Sequence, residues 1–244
     1  LGNYRLIALD MDGTLLTEDK TVSKENRAAL EAAAAAGVTV MLATGRGIQN
    51  VMPYLEELEL NSPIVTVNGS EVWASPGTLH HRTLMDSKLI RDMHSIAEEY
   101  DTWYWAYAVG DIFNKDKWVD SYDNHQWLKF GYYYEDAERL RAIRDKLAAW
   151  DLFEVTNSHP FNIELNPKGV NKASGIRQVC ELLGIDMSQV IAMGDSLNDE
   201  SMIRAAGLGV AMGNAQDEVK RFADVVTATN EEHGVARIIE QYIL

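Results

Sequence analysis

The run Leu6-Ile7-Ala8-Leu9 passes without a break into Asp10-Met11-Asp12-Gly13-Thr14. A short apolar stretch ending in two carboxylates one residue apart reads as a buried strand that delivers acids to its carboxyl end. Carboxylates at such a position are costly unless a cation or hydrogen-bond donors neutralise them. The rest of the chain must therefore supply those partners, on a fold that gathers strand ends at one place.

The order of elements indicates that fold. Ser23 can cap a helix that runs through Ala28 to residue 36 and is ended by Gly37. Residues 38–43 read as a second strand ending at Thr44-Gly45-Arg46. Residues 47–60 read as a helix with Pro53 at a kink or in its first turns, and 64–67 as a third strand before an Asn68-Gly69 turn. Strand and helix alternate, which implies a parallel sheet with helices on its faces. The alternation resumes late in the chain, with helices over 170–183, 199–206, 215–222 and 235–243 and strands over 190–193, 208–212 and 225–226.

Between these parts the composition changes. Residues 82–160 hold 15 of the 21 aromatic residues in 79 of the 244 positions, which marks a separate unit. Its pattern repeats: helix 86–100 and a hairpin over 103–114 turning at Gly110-Asp111, then helix 135–150 and a hairpin over 152–165 turning near His159-Pro160. Residues 115–134 receive no assignment. A repeated helix-strand-strand unit makes a small antiparallel sheet with two helices on one side. The expected fold is α/β: a Rossmann-like open parallel-sheet core from 1–81 and 161–244, with an inserted α+β cap domain at 82–160. Alternation puts Trp103, Trp105 and Tyr107 on one face and Tyr104 on the other. One face must pack on the insert's own helices, so most of these aromatics read as core or as a dimer face.

A net charge of -15 and a pI near 4.8 argue against nucleic acid or an anionic membrane as partner. A small anionic substrate stays compatible, because a local positive pocket or a metal can override the global field. No apolar stretch reaches bilayer length and no signal-peptide pattern opens the chain, so the expected location is cytoplasmic. The single cysteine, Cys180, lies in a helical context and reads as a buried structural thiol.

In open parallel sheets, ligands bind at the carboxyl ends of the strands, where strand order reverses. Asp10 and Asp12, Thr44, Asn68 and the segment Gly194-Asp195-Ser196-Leu197-Asn198-Asp199 fall at such ends, and Lys172 opens the helix after the insert. Four carboxylates, one ammonium and several short donors suit Mg²⁺ together with a phosphoryl group. Mg²⁺ takes one or two carboxylates, other oxygens and water, for which Asp10, Asp195 and the Asp12 carbonyl qualify. Lys172 and the Thr44 hydroxyl can bind the transferring oxygens, and Asp12 can protonate the departing oxygen and then activate water.

These motifs, in this order, resemble the four motifs of the haloacid dehalogenase superfamily. The place of the insert, between the second and third motifs, resembles the Cof-type sugar-phosphatase branch, although Ala173 stands where that branch usually has Gly after the lysine. The resemblance implies a Mg²⁺-dependent phosphatase of a small phosphorylated metabolite, acting through an aspartyl-phosphate. A sugar phosphate is the first choice of substrate, phosphoglycolate or a phosphorylated cofactor the alternatives. It further implies Asp10 as nucleophile, Asp12 as general acid and base, and Thr44, Gly45, Lys172 and Asn198 as phosphate binders. Asp10, Asp12 through its carbonyl, and Asp195 would hold the metal, with Asp199 in support, in a monomer or homodimer.

Competing readings are weaker. A calcium loop needs an acid or amide at position 14 and Gly at 15, where Thr14 and Leu15 stand, and a dinucleotide fingerprint needs Gly where Asn50 stands. A signalling receiver domain shares the acidic pocket but lacks a large insert and a second acid placed like Asp12. A regulatory protein that binds a phosphometabolite and kept the pocket without turnover stays as an alternative, against which the intact Asp10 and Asp12 argue. Arg46 reads as the partner of an acid ahead of the alternative, a substrate-binding residue, and Asn68 as either turn or site.

Overall fold

The computed structural model describes residues 3–244. Strand β1 (Leu6–Leu9) is wholly buried. Helix α1 (Lys24–Ala35) begins where the Ser23 hydroxyl accepts from the Asn26 amide. After β2 (Thr39–Leu42), the expected helix over 47–60 is two pieces, a 3₁₀ turn at Ile48–Asn50 and α2 (Met52–Glu57). Pro53 sits in the first turn of α2, where its missing N–H has no helical partner to lose. Strands β3 (Ile64–Thr66), β4 (Glu71–Ser75) and β5 (Thr78–Arg82) form an antiparallel sheet of their own. The third expected strand therefore touches the parallel sheet only through an isolated Ala43–Val65 bridge.

Next come α3 (Ser87–Tyr100), β6 (Trp103–Ala108), β7 (Asp111–Asn114), β8 (Trp127–Tyr133), α4 (Ala137–Ala148), β9 (Phe153–Thr156) and β10 (Asn162–Pro167). The five strands make an antiparallel sheet in the order β7-β6-β8-β10-β9. Its centre is β8, in the stretch that the sequence pattern left unassigned. Tyr104 and Ala106 of β6 pack into a core with Met93 and Ile96 of α3 and Leu140 and Ile143 of α4. Trp103, Trp105 and Tyr107 occupy the opposite, more exposed face, as the alternation required. Strand β10 lies beyond the expected boundary at residue 160, and its Ile163 and Leu165 belong to this second core. The sheet thus runs on to Pro167 because β10 pairs with β8 and β9.

The chain then continues through α5 (Lys172–Leu183), β11 (Val190–Gly194), α6 (Glu200–Ala205), β12 (Leu208–Ala211), α7 (Asp217–Phe222), β13 (Val225–Val226) and α8 (Gly234–Tyr242). The parallel sheet has the order β13-β12-β11-β1-β2. From β1 the chain goes to one side, into β2, and returns on the other as β11, so strand order reverses beside β1 and opens a crevice at the carboxyl ends. Residues from both outer parts of the sequence share one hydrophobic core. Cys180 is buried there. Among the described residues no helix is long and apolar enough to cross a membrane.

Candidate active site

Asp10 is the first residue past β1, and its amide donates to the Met193 carbonyl at 3.0 Å, so β11 fixes where the side chain starts. The chain then turns back on itself, with the Leu15 amide donating to the Asp10 carbonyl. Gly13 makes that turn possible: its φ is +81°, and a Cβ there would lie 2.7 Å from Asp195 Oδ2. Asp195 follows β11 and accepts from the Thr14 hydroxyl at 3.1 Å. Asp10, Asp195 and Asp199 each bring a carboxylate oxygen within 4.8 Å of the others.

Lys172 joins this cluster from the first turn of α5. The Asn171 side chain caps that helix through the Ser174 amide, with a reciprocal bond from the Asn171 amide to the Ser174 hydroxyl, and so fixes where Lys172 begins. Its fully buried Nζ donates to Asp10 Oδ1 and Asp199 Oδ1, both at 2.6 Å. Asp199 Oδ2 accepts the amides of Asp195 and Ser196, at 2.9 and 3.0 Å. Both Asp199 oxygens are therefore engaged, which makes it a brace, whereas no donor among the described residues bonds Asp10 Oδ2.

The charges do not balance. Three carboxylates share one ammonium, and burial with mutual repulsion raises two of them. Burial, against the pull of Lys172, lifts Asp10 well above the usual carboxylate range, with Asp199 and Asp195 adding to it. Burial and then Asp199 push Asp195 to about 7. Lys172 stays firmly protonated despite burial, because Asp10 and Asp199 outweigh the desolvation. Surplus carboxylate oxygens in a closed space fit a hard divalent cation at Asp10 and Asp195.

Asp12 has the opposite environment. Arg46 donates to both its oxygens at 2.7 Å and Lys20 to Oδ1 at 2.8 Å. Although burial works against it, these bonds hold the carboxyl down to about 2. Arg46 thus pairs with an acid, and the acid is Asp12.

Thr44, buried past β2, accepts the Arg46 amide on its hydroxyl oxygen at 3.1 Å, which leaves its own proton to donate. Residues 67–69 are fastened to this loop by the Val67 amide on the Arg46 carbonyl and the Asn68 amide on the Thr44 carbonyl. Val67 and Asn68 both have left-handed backbones, φ 50° and 54°, at a cost of about 1–2 kcal/mol for the valine. That turn aims the Asn68 side chain inward, where Asn198 donates to it at 3.2 Å. The expected turn at Asn68 is therefore also part of the site.

The sequence pattern missed the residues contributed by the second sheet. A cavity of about 290 Å³ has Asp10, Asp12 and Thr44 on one side and Tyr107, Lys129 and Glu164 on the other. Lys129 sits in β8 amid Trp127-Leu128 and Phe130-Gly131-Tyr132-Tyr133, a lone charge in an apolar run. That is the signal that drew attention to Asp10, present in a stretch with no assigned element. Glu164 in β10 carries the same signal more faintly, between Ile163 and Leu165.

Residues 7–134 and 113–239 match the family model of haloacid dehalogenase-like hydrolases. The chain is 44% identical over 242 residues to a 5-amino-6-(5-phospho-D-ribitylamino)uracil phosphatase of Bacillus subtilis, covering 99% of this chain and 97% of that protein. A solved haloacid dehalogenase-like hydrolase from B. subtilis superposes with a TM-score of 0.90 at 28% identity, covering 98% of this chain and all of that one, 100%. A subclass IIB sugar phosphatase, 24% identical over 98% of each chain, shares the fold with a TM-score of 0.85. The chain belongs to the haloacid dehalogenase-like hydrolases. Within that family it is a phosphatase of small phosphorylated metabolites.

Proposed function

We propose that the chain hydrolyses the phosphate ester of a ribityl chain carried on a pyrimidine, with Mg²⁺ and through an aspartyl-phosphate on Asp10. The contrast between Asp10, set among acids and one lysine, and Asp12, held by two cations across the same cavity, carries the chemistry. The substrate is inferred from the 44% identity to the ribitylaminouracil phosphatase, and it narrows the expected sugar phosphate to a phosphorylated sugar alcohol.

A carboxylate oxygen of Asp10 attacks phosphorus, the ester P–O bond breaks, and Asp12 gives a proton to the departing oxygen. Water then attacks the phosphorus of the acyl phosphate, Asp12 takes its proton, and phosphate leaves with Asp10 regenerated. At neutral pH, Asp12 held by Arg46 and Lys20 carries no proton. An entering phosphate competes for those two cations, which loosens their hold on Asp12 and raises its basicity, so that it takes up a proton from solvent before passing it to the departing oxygen. Lys172 keeps Asp10 oriented, and Thr44, Gly45 and Asn198 donate to the phosphoryl oxygens from hydroxyl, amide N–H and side-chain amide. Mg²⁺, held by Asp10, Asp195 and the Asp12 carbonyl, would supply charge neutralisation. The insert, 82–160 extended to the end of β10, acts as the cap that keeps bulk water from the acyl phosphate and reads the leaving group.

The test is release of inorganic phosphate from the ribitylaminouracil phosphate by purified protein. Release that needs Mg²⁺ and vanishes in Asp10→Asn is expected. Cleavage of other esters without this one would overturn the substrate, and release unaffected by chelator would overturn the metal.

A further inference from the structure

The second sheet places a buried ion pair on the cavity wall opposite the acids. Lys129 is 1% exposed and Glu164 4%, and Lys129 Nζ lies 3.3 Å from Glu164 Oε2. The same nitrogen donates to the Gly45 carbonyl at 2.9 Å and stands 4.6 Å above the Tyr107 ring. A Cβ on Gly45 would lie 3.0 Å from Asn68 Oδ1, 3.5 Å from Lys129 Nζ and 3.6 Å from Asn198 Nδ2, so three polar side chains converge beside the Thr44-Gly45 loop.

An inventory of donors and acceptors shows what remains. Lys129 has three N–H bonds, of which the Gly45 carbonyl and Glu164 take two. The Glu164 carboxylate has about four acceptor positions. Asn68 Nδ2 at 2.6 Å, Ser158 Oγ at 2.9 Å and Lys129 use three of them. One Lys129 hydrogen is left without an oxygen partner and one acceptor position is left on Glu164 Oε1, and both residues line the cavity that Asp10 lines. The complement of that pair is two neighbouring hydroxyls, one accepting from the ammonium and the other donating to the carboxylate. A pair meant only to join two sheets would gain little from charge, since a buried ion pair barely recovers its desolvation cost and apolar side chains would serve as well.

We infer that Lys129 and Glu164 are specificity-determining residues that read a vicinal diol on the carbon chain of the phosphate ester. The inference deepens the proposed function and rests on it. Tyr107 shapes the subsite by offering its ring face to Lys129, so that face is not a platform for a substrate ring.

The experiment compares kcat/KM for ribitol phosphate and for n-pentyl phosphate, which has the same carbon count and no hydroxyls. The parent is set against Lys129→Gln and the neutral double variant Lys129→Gln/Glu164→Gln, which strands no charge if the single variant folds poorly. Hydrogen bonds to charged groups predict that the variants lose roughly tenfold or more on ribitol phosphate beyond whatever they lose on pentyl phosphate. Equal losses on both esters would make the pair a structural latch and overturn the inference. A parent that cleaves both esters with no preference would overturn it while leaving the phosphatase chemistry intact, and a parent that cleaves neither of them nor the ribitylaminouracil phosphate would remove both readings.

Discussion

Two buried lysines, Lys172 and Lys129, belong to the candidate site, and they are bound differently. Lys172 joins two carboxylates, Asp10 and Asp199, that belong to the same parallel-sheet body. Lys129 belongs to the second sheet and spans the gap, bonding a main-chain carbonyl of the first body on one side and Glu164 of its own sheet on the other. The first lysine is locked into the reacting group. The second is tied to it only through a loop carbonyl, with a hydrogen left over for a ligand. The proposed division follows from this: chemistry at the strand ends of one core, and selection by the side chains of the other.

The largest effect should come from the reacting side of that division. Asp10→Asn should lower phosphate release on the order of 10⁴-fold or more for every ester, because the proposed nucleophile is lost. Activity within tenfold of the parent would show that the acid cluster is not the reacting side.

Lys172→Met should lower kcat on the order of 10²- to 10³-fold and, by stranding buried Asp10 and Asp199, cost about 3–5 kcal/mol in urea unfolding. In Lys129→Met, Glu164 still has Asn68 and Ser158, so a smaller cost of about 1–3 kcal/mol is expected. Similar losses of stability in the two variants would erase the contrast between the lysines.

Mg²⁺ sharpens the comparison through pH. A carboxyl raised from 3.8 to about 7 in the folded state, as at Asp195, makes the protein less stable as pH rises through that interval. A cation bound to the ionised form removes the penalty and must compete with protons below pH 7. Thermal melts should show a larger Mg²⁺ stabilisation at pH 8 than at pH 5, about 2.7 kcal/mol at a hundredfold excess over Kd. Equal shifts at the two pH values would place the ion elsewhere.

The smallest effect concerns Asp12. Its folded value of about 2 lies below the ordinary 3.8, so its stabilisation is complete above about pH 4 and is lost as pH falls through 2. The side chain is 43% exposed, and solvent screening reduces the contribution to about 1 kcal/mol. Arg46→Met should flatten the acid limb of the stability profile by that amount in urea titrations, and an unchanged limb would assign the depressed value to Lys20.

Much of the parallel-sheet body was legible because its strands are short apolar runs that end in chemically unusual residues. Asp10, Thr44 and Asp195 stand immediately or shortly past their strands, at the same edge of one sheet. What those runs could not show is the counter-charge at Asp12, since pairing with Arg46 and Lys20 depends on loop paths and not on periodicity. Strand β8 escaped for a different reason. It is buried on nearly every residue, so the two-residue alternation that identifies a half-exposed strand is absent. Gly131 looks like a break in it, yet that glycine is needed because a Cβ would come within 2.3 Å of the Trp105 indole, which lies across the strand. The hairpin read over 152–165 already crossed the boundary set at residue 160, and the pairing of β10 with β8 and β9 keeps its second strand in the insert's sheet.

The polar chain from Asn198 through Asn68 to Glu164 has a consequence for modularity. Asn68 takes its one incoming bond from the core and sends both its amide hydrogens into the insert, to Glu164 and Asn166. An insert transplanted from a relative would carry its own selectivity with it only if it brought an acceptor to that spot. Without one, a buried amide would lose its partner, at about 1–3 kcal/mol. Asn68 thus acts as a compatibility check between the two halves of the gene product, admitting some chimeras and penalising others before any substrate is bound.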